Sequence, residues 1–196
     1  MDVGELMRAY EDRKPEIKER LRSFQTTEPR EELAFCICTP QSKAKRCWEA
    51  VEMLIDGGKL DAQPGEIARI LQTRVRFHNT KARHIAEAMK LDLSLLPGDP
   101  LEARDWLVAN VKGLGMKEAS HFLRNTGRGE DITILDRHIL KNLKELGVIS
   151  EVPRSLGRRV YLEIEANARA FSRKVGIPLA ELDLLLWSLE TGEVFK

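Results

Sequence analysis

No stretch of this chain stays apolar long enough to span a bilayer, and its start, M-D-V-G-E-L, has neither the basic nor the apolar region of a signal peptide. Together these absences predict a cytoplasmic protein with no membrane partner. Cysteine is scarce, with only Cys36, Cys38 and Cys47. Their C-x-C and C-x8-C spacings do not fit the paired ligands of a zinc ribbon, and an odd count argues against a disulfide framework. Buried helical thiols are the expectation, with no metal and no cofactor. An excess of one charge is missing too: 32 Lys and Arg stand against 31 Asp and Glu, a net of +1. Overall charge therefore announces no polyanionic partner, and a basic surface must come from local clustering. Convincing two-residue alternation, internal repeats and low-complexity segments are all absent, which removes the usual signatures of strands, solenoids and disordered tails.

What remains is helical. The 196 residues, 42% of them hydrophobic, suffice for one compact unit or two closely packed subdomains. Pro15 and Pro29 suit first helical turns, predicting helices at about residues 4–12, 15–24 and 29–37. Ser42 is the expected N-cap of a helix through Ala44, Trp48, Val51 and Leu54 that ends at Gly57 and Gly58. Pro64 opens a short helix, and Asn79 or Thr80 caps the next, through Ile85 and Met89. After the break L-L-P-G-D-P, Asp99 and Pro100 start another. Ile139, Leu140, Leu143 and Leu146 mark a further helix that stops at Gly147. Pro178 begins the last one, with Leu182, Leu185, Leu186 and Leu189 as its buried stripe and Gly192 as its end. The fold class is all-α.

Two stretches depart from plain helix. The first, T-R-V-R-F-H-N-T-K-A-R, gathers Arg74, Arg76, Lys81 and Arg83 around Phe77 and His78. Cations for phosphates beside an apolar wedge suit a distorted nucleic-acid strand. The second is V-K-G-L-G-M-K-E-A-S-H-F-L-R-N. Here Gly113 and Gly115 make a tight turn between the helical patterns Ala103, Trp106, Leu107, Val111 and Ala119, Phe122, Leu123. Glycine at both turn positions permits dihedrals that a Cβ forbids, and close approach of another molecule. Amides of such a turn at a helix start form a ready phosphate site, with Lys112 beside it. The pattern is a helix-hairpin-helix over about residues 103–125, a grip on nucleic-acid backbone. A polar loop over about 126–138 then leads to Asp136.

Lys117, two residues past Gly115, and Asp136, nineteen further on, resemble the hairpin lysine and downstream aspartate of the helix-hairpin-helix DNA glycosylases. The segments K-G-L-G-M-K-E-A-S-H-F-L-R-N, I-L-D-R-H-I-L, R-F-H-N-T-K-A-R and the terminal T-G-E-V-F-K are most similar to the archaeal-type 8-oxoguanine DNA glycosylase/lyases. The resemblance implies one glycosylase unit over residues 1–196, built as two helical subdomains flanking a cleft. It implies a duplex partner carrying 8-oxoguanine or an abasic site, and we expect a monomer. Lys117 would be the nucleophile at the sugar C1′, activated by desolvation or a cationic neighbour. Asp136 would stabilise the cationic sugar. Lys112, Gly113, Gly115, Arg76, Phe77 and Lys81 would hold the DNA, and Lys196, Trp187, Gln41 and Asp183 would meet the extruded base. The three cysteines do not match the four-cysteine iron–sulfur cluster of some members of the wider superfamily.

Two rival readings stay open at this point. A glycosylase of the same fold for another damaged base would carry the same lysine and aspartate. A non-catalytic helix-hairpin-helix DNA-binding protein would need neither.

Overall fold

The computed structural model describes all residues, Met1–Lys196, and every regular element in it is helical. The chain divides into two compact units, Met1–Thr26 with Gly127–Lys196, and Thr27–Thr126. No helix is long and apolar enough to cross a membrane.

The middle segment forms the continuous unit. It holds α2 (Pro29–Cys38), α3 (Ala44–Asp56), α4 (Pro64–Leu71), α5 (His78–Ala88), α6 (Pro100–Asn110) and α7 (Met116–Asn125). α2 is the core of this unit: every side chain from Glu32 to Cys38 is buried, and the helix packs on α3, α5 and α7. Burying Glu32 requires a partner, and Asn125 of α7 donates to its carboxylate at 2.7 Å. The three thiols are free and buried here, and Cys47 Sγ donates to the Cys38 carbonyl at 3.1 Å.

The two chain ends form the other unit, with α1 (Val3–Ser23), α8 (Arg137–Glu145), α9 (Arg158–Val175) and α10 (Leu179–Thr191). α10 is covered on all sides from Leu179 to Leu186, so over these residues the expected leucine stripe is instead buried all round. Leu184, outside the predicted stripe, is fully buried, whereas Leu189 is half-buried.

Three local expectations are corrected. Pro15 does not start a helix; it lies inside α1, which runs unbroken from a capping box at Asp2 and Glu5. Leu6, Tyr10 and Ile17 continue one buried face through the proline, and this packing outweighs the single backbone hydrogen bond the ring removes. Ser42 does not cap α3, whose N-cap is Lys43; the serine hydroxyl accepts from Arg76 N and Lys81 Nζ. α5 begins at His78, with Phe77 rather than Asn79 or Thr80 as its N-cap.

Candidate active site

The hairpin is built from its flanking helices. Ala103 and Leu107 of α6 and Ala119, Phe122 and Leu123 of α7 are buried, and Arg104, 1% exposed, donates to Ser120 Oγ at 3.2 Å. This packing fixes the ends of the turn. Leu114 inserts between the glycines as its buried anchor, and its amide returns to the Val111 carbonyl at 3.3 Å. Gly113 has φ +89°, and a Cβ there would lie 2.5 Å from His84 Nδ1. Gly115, expected to need the same freedom, has φ −100° and ψ −171°, which any residue adopts. It is the N-cap of α7, so the amides that open this helix have no acceptor within it.

Lys117 occupies the second position of α7. Its side chain is 31% exposed, and its Nζ sits 3.2 Å from Glu118 Oε1. The other oxygen of Glu118 accepts from Gly115 N, also at 3.2 Å, so one carboxylate joins the turn to the lysine. Sequence reasoning missed Glu118, although its place three residues after the N-cap is the spacing of a capping box. Lys112 is exposed and pairs with Glu87 at 2.9 Å, and the ammonium holds the Glu87 carboxyl below the usual carboxylate range. Beside them, burial pushes the His84 imidazole below its ordinary value.

The basic cluster sorts into two kinds of residue. Phe77 is 56% exposed with φ +58°, and the Arg76 guanidinium lies 5.5 Å from its ring centroid. An open apolar groove of about 260 Å³ runs between Phe77 and Gly113, walled by Ile37, Pro40 and His84. Lys81, expected among the cations that meet phosphate, has another task. It is 5% exposed, and its Nζ donates to the Cys38 carbonyl (2.7 Å), the Pro40 carbonyl (2.6 Å) and Ser42 Oγ (3.1 Å). Burial lowers its pKa. Lys81 thereby holds the loop that presents Gln41, which is exposed with φ +56°. Two non-glycine residues in the left-handed region, on loops tied by one serine hydroxyl, mark a strained surface.

In the other unit Asp136 caps α8. Its Oδ1 accepts from His138 N at 2.8 Å and Ile139 N at 2.9 Å. Asp183, expected to face the base, is 2% exposed and instead accepts from Thr133 Oγ1 and Ile134 N. From α10 it holds the segment leading into Asp136. Trp187 is half-buried on α10, and its ring lies 6.4 Å from that of Phe195, tilted by 31°. The tail is therefore packed: Val194 is 5% exposed, and Thr191 Oγ1 donates to the Glu193 carbonyl. Lys196 ends the chain half-buried.

The family model of 8-oxoguanine DNA glycosylase matches residues 10–177. The chain belongs to the 8-oxoguanine DNA glycosylase family. The 8-oxoguanine DNA glycosylase/AP lyase of Fusobacterium nucleatum is 42% identical over 98% of this chain and 97% of its own length. That of Korarchaeum cryptofilum is 41% identical over 99% and 97%. Among solved structures, the Thermotoga maritima 8-oxoguanine DNA glycosylase superposes with a TM-score of 0.89 at 35% identity, covering 99% of this chain and 98% of that one. The Methanocaldococcus jannaschii 8-oxoguanine glycosylase/lyase, crystallised with a 15mer DNA containing 8-oxoguanine, gives 0.88 at 36%, covering 97% and 99%. Membership of this glycosylase family makes DNA the partner and the helix-hairpin-helix the fold.

Proposed function

We propose that this 8-oxoguanine DNA glycosylase/AP lyase works through Lys117 and Asp136 in base-excision repair, as a monomer in the cytoplasm. The chain is read as one working glycosylase over residues 1–196. The observation that carries the assignment of the nucleophile is the seat of Lys117: second residue of a helix whose first amides, from Met116 on, have no acceptor within it and suit a phosphate. A strand held at those amides passes beside the lysine amine. Gly113, Gly115, Lys112, Arg76 and Phe77 hold and distort the duplex so that the nucleotide is extruded.

The Lys117 amine then attacks C1′ through its nitrogen lone pair. The N–C1′ bond forms as the bond to the base breaks, and the base leaves with the electron pair and takes up a proton. Asp136, through the oxygen outside its helix cap, stabilises the positive charge on the sugar. Ring opening gives an imine, and loss of a C2′ proton expels the 3′ phosphate, which is the strand nick. Recognition rests on N7, a donor in 8-oxoguanine and an acceptor in guanine. A main-chain oxygen of Lys196 accepts from it, Trp187 lies against the ring, and Gln41 meets a polar edge. An acceptor facing normal guanine is left unpaired, and that penalty discriminates.

Borohydride trapping on a duplex with one 8-oxoguanine tests this reading. Wild type is expected to give a covalent adduct, Lys117→Gln none, and a variant lacking Lys196 a weaker one. An adduct formed only on a different lesion overturns the substrate. Binding without any adduct overturns the lysine mechanism in favour of a DNA-binding module.

A further inference from the structure

Residues 132–136 have no regular secondary structure, yet Ile132, Thr133, Ile134 and Leu135 are at most 7% exposed. A buried segment outside helix and sheet must satisfy its backbone groups with side chains. Here three buried side chains do so. Glu165 of α9 accepts from Thr133 N at 3.3 Å. Asp183 of α10 accepts from Thr133 Oγ1 at 2.6 Å and Ile134 N at 2.8 Å. The Tyr161 hydroxyl of α9 donates to the Thr133 carbonyl at 2.7 Å and accepts from Leu135 N at 3.3 Å. Glu165 and Asp183 are each 2% exposed and Tyr161 1%. Arg169 extends the set upstream by donating to the Asp131 carbonyl at 2.7 Å.

The segment ends on Asp136. Its amide bonds the Ile134 carbonyl at 2.7 Å, and its Oδ1 is committed to the α8 cap. The carboxylate direction is thereby set from both sides, by the helix it caps and by the segment that delivers it. We infer that Tyr161, Asp183 and Glu165 are positioning residues that aim Asp136 at the reacting sugar. An apolar segment packed in the same place would bury equal surface without fixing the carboxylate; a hydrogen-bonded one fixes it. Placement matters because a shift of about 1 Å in a catalytic group costs up to about a hundredfold in rate. This inference rests on the role proposed for Asp136.

The test compares Tyr161→Phe, which keeps the ring and loses both hydroxyl contacts, with Asp183→Asn and Asp136→Asn. Three quantities are measured for each: duplex affinity, single-turnover release of 8-oxoguanine, and borohydride trapping on a preformed abasic site. The last needs Lys117 but breaks no glycosidic bond. Base release by Tyr161→Phe and Asp183→Asn is expected to slow by roughly ten- to a hundredfold, with affinity and abasic-site trapping within about twofold of wild type. Should Asp183→Asn fail to fold, Tyr161→Phe decides alone. Base release at the wild-type rate in both clamp variants overturns the inference if Asp136→Asn is inactive. Parallel loss of release, trapping and affinity overturns it in favour of a purely structural role. Wild-type release by Asp136→Asn instead overturns the reading of Asp136, and the inference with it.

Discussion

Gly113 and Gly115 look alike in sequence and differ in the folded chain. Only Gly113 adopts a positive φ, +89°, and only there would a Cβ overlap a neighbour, His84 Nδ1 at 2.5 Å. A Cβ at Gly115 would lie 3.3 Å from the Glu118 carboxylate, which must give by a few tenths of an ångström. Gly113→Ala is therefore expected to cost on the order of 1–3 kcal/mol of stability from backbone strain and to weaken duplex binding as the turn shifts. Gly115→Ala should cost less stability than Gly113→Ala and chiefly weaken binding, because the added carbon stands where phosphate is proposed to approach. Urea unfolding and fluorescence anisotropy on the same two variants read these outcomes. Equal stability losses in both would show that the two positions share one role. Side-chain identity alone misled elsewhere too. Lys81 looks like a surface cation and Asp183 like a pocket acid, but each is buried and hydrogen-bonded. Their partners lie up to 50 residues away, beyond any local pattern.

At the scale of elements, periodicity made most helices legible. Gly147, Gly176 and Gly192, all at positive φ, close α8, α9 and α10, and Asp99 caps α6 with bonds to Leu101 N and Glu102 N. α1 was misread because a proline outranks apolar spacing in sequence, whereas in the folded chain the continuous face of Leu6, Tyr10 and Ile17 decides. The loop of Gln41 was unreadable for another reason: a left-handed non-glycine residue has no sequence signature, and what stabilises it is an ammonium on α5. Lys81→Met keeps most of the length of that side chain and removes all three donors. It is expected to destabilise the protein by about 2 kcal/mol, since buried acceptors lose their partner, and to loosen the Gln41 and Phe77 loops. A lower urea midpoint together with weaker duplex binding is the expected result. Weaker binding with no loss of stability would mean that Lys81 meets the DNA itself.

Taken as a whole, the molecule is nearly neutral, so its affinity for DNA comes from a few placed contacts rather than from bulk charge. Lys112→Ala, which removes one of the proposed phosphate contacts, is expected to reduce the slope of log affinity against log salt by about one. Lys112 is paired with Glu87 before DNA arrives, so Glu87→Gln should tighten duplex binding, on the order of twofold, without altering base release. Filter binding across a salt series measures both, and an unchanged slope in Lys112→Ala would remove that lysine from the interface. The division of the chain has a further consequence, for synthesis. The Tyr10 hydroxyl donates to Glu181 at 2.5 Å across 171 residues, within a unit made from both ends of the chain. The continuous unit of residues 27–126 is complete long before that partner is translated, and domains tend to fold as units while the chain emerges. α1, made before the continuous unit, is thus among the last helices to find its place, and until α10 is released its apolar face lacks the helix it chiefly packs on.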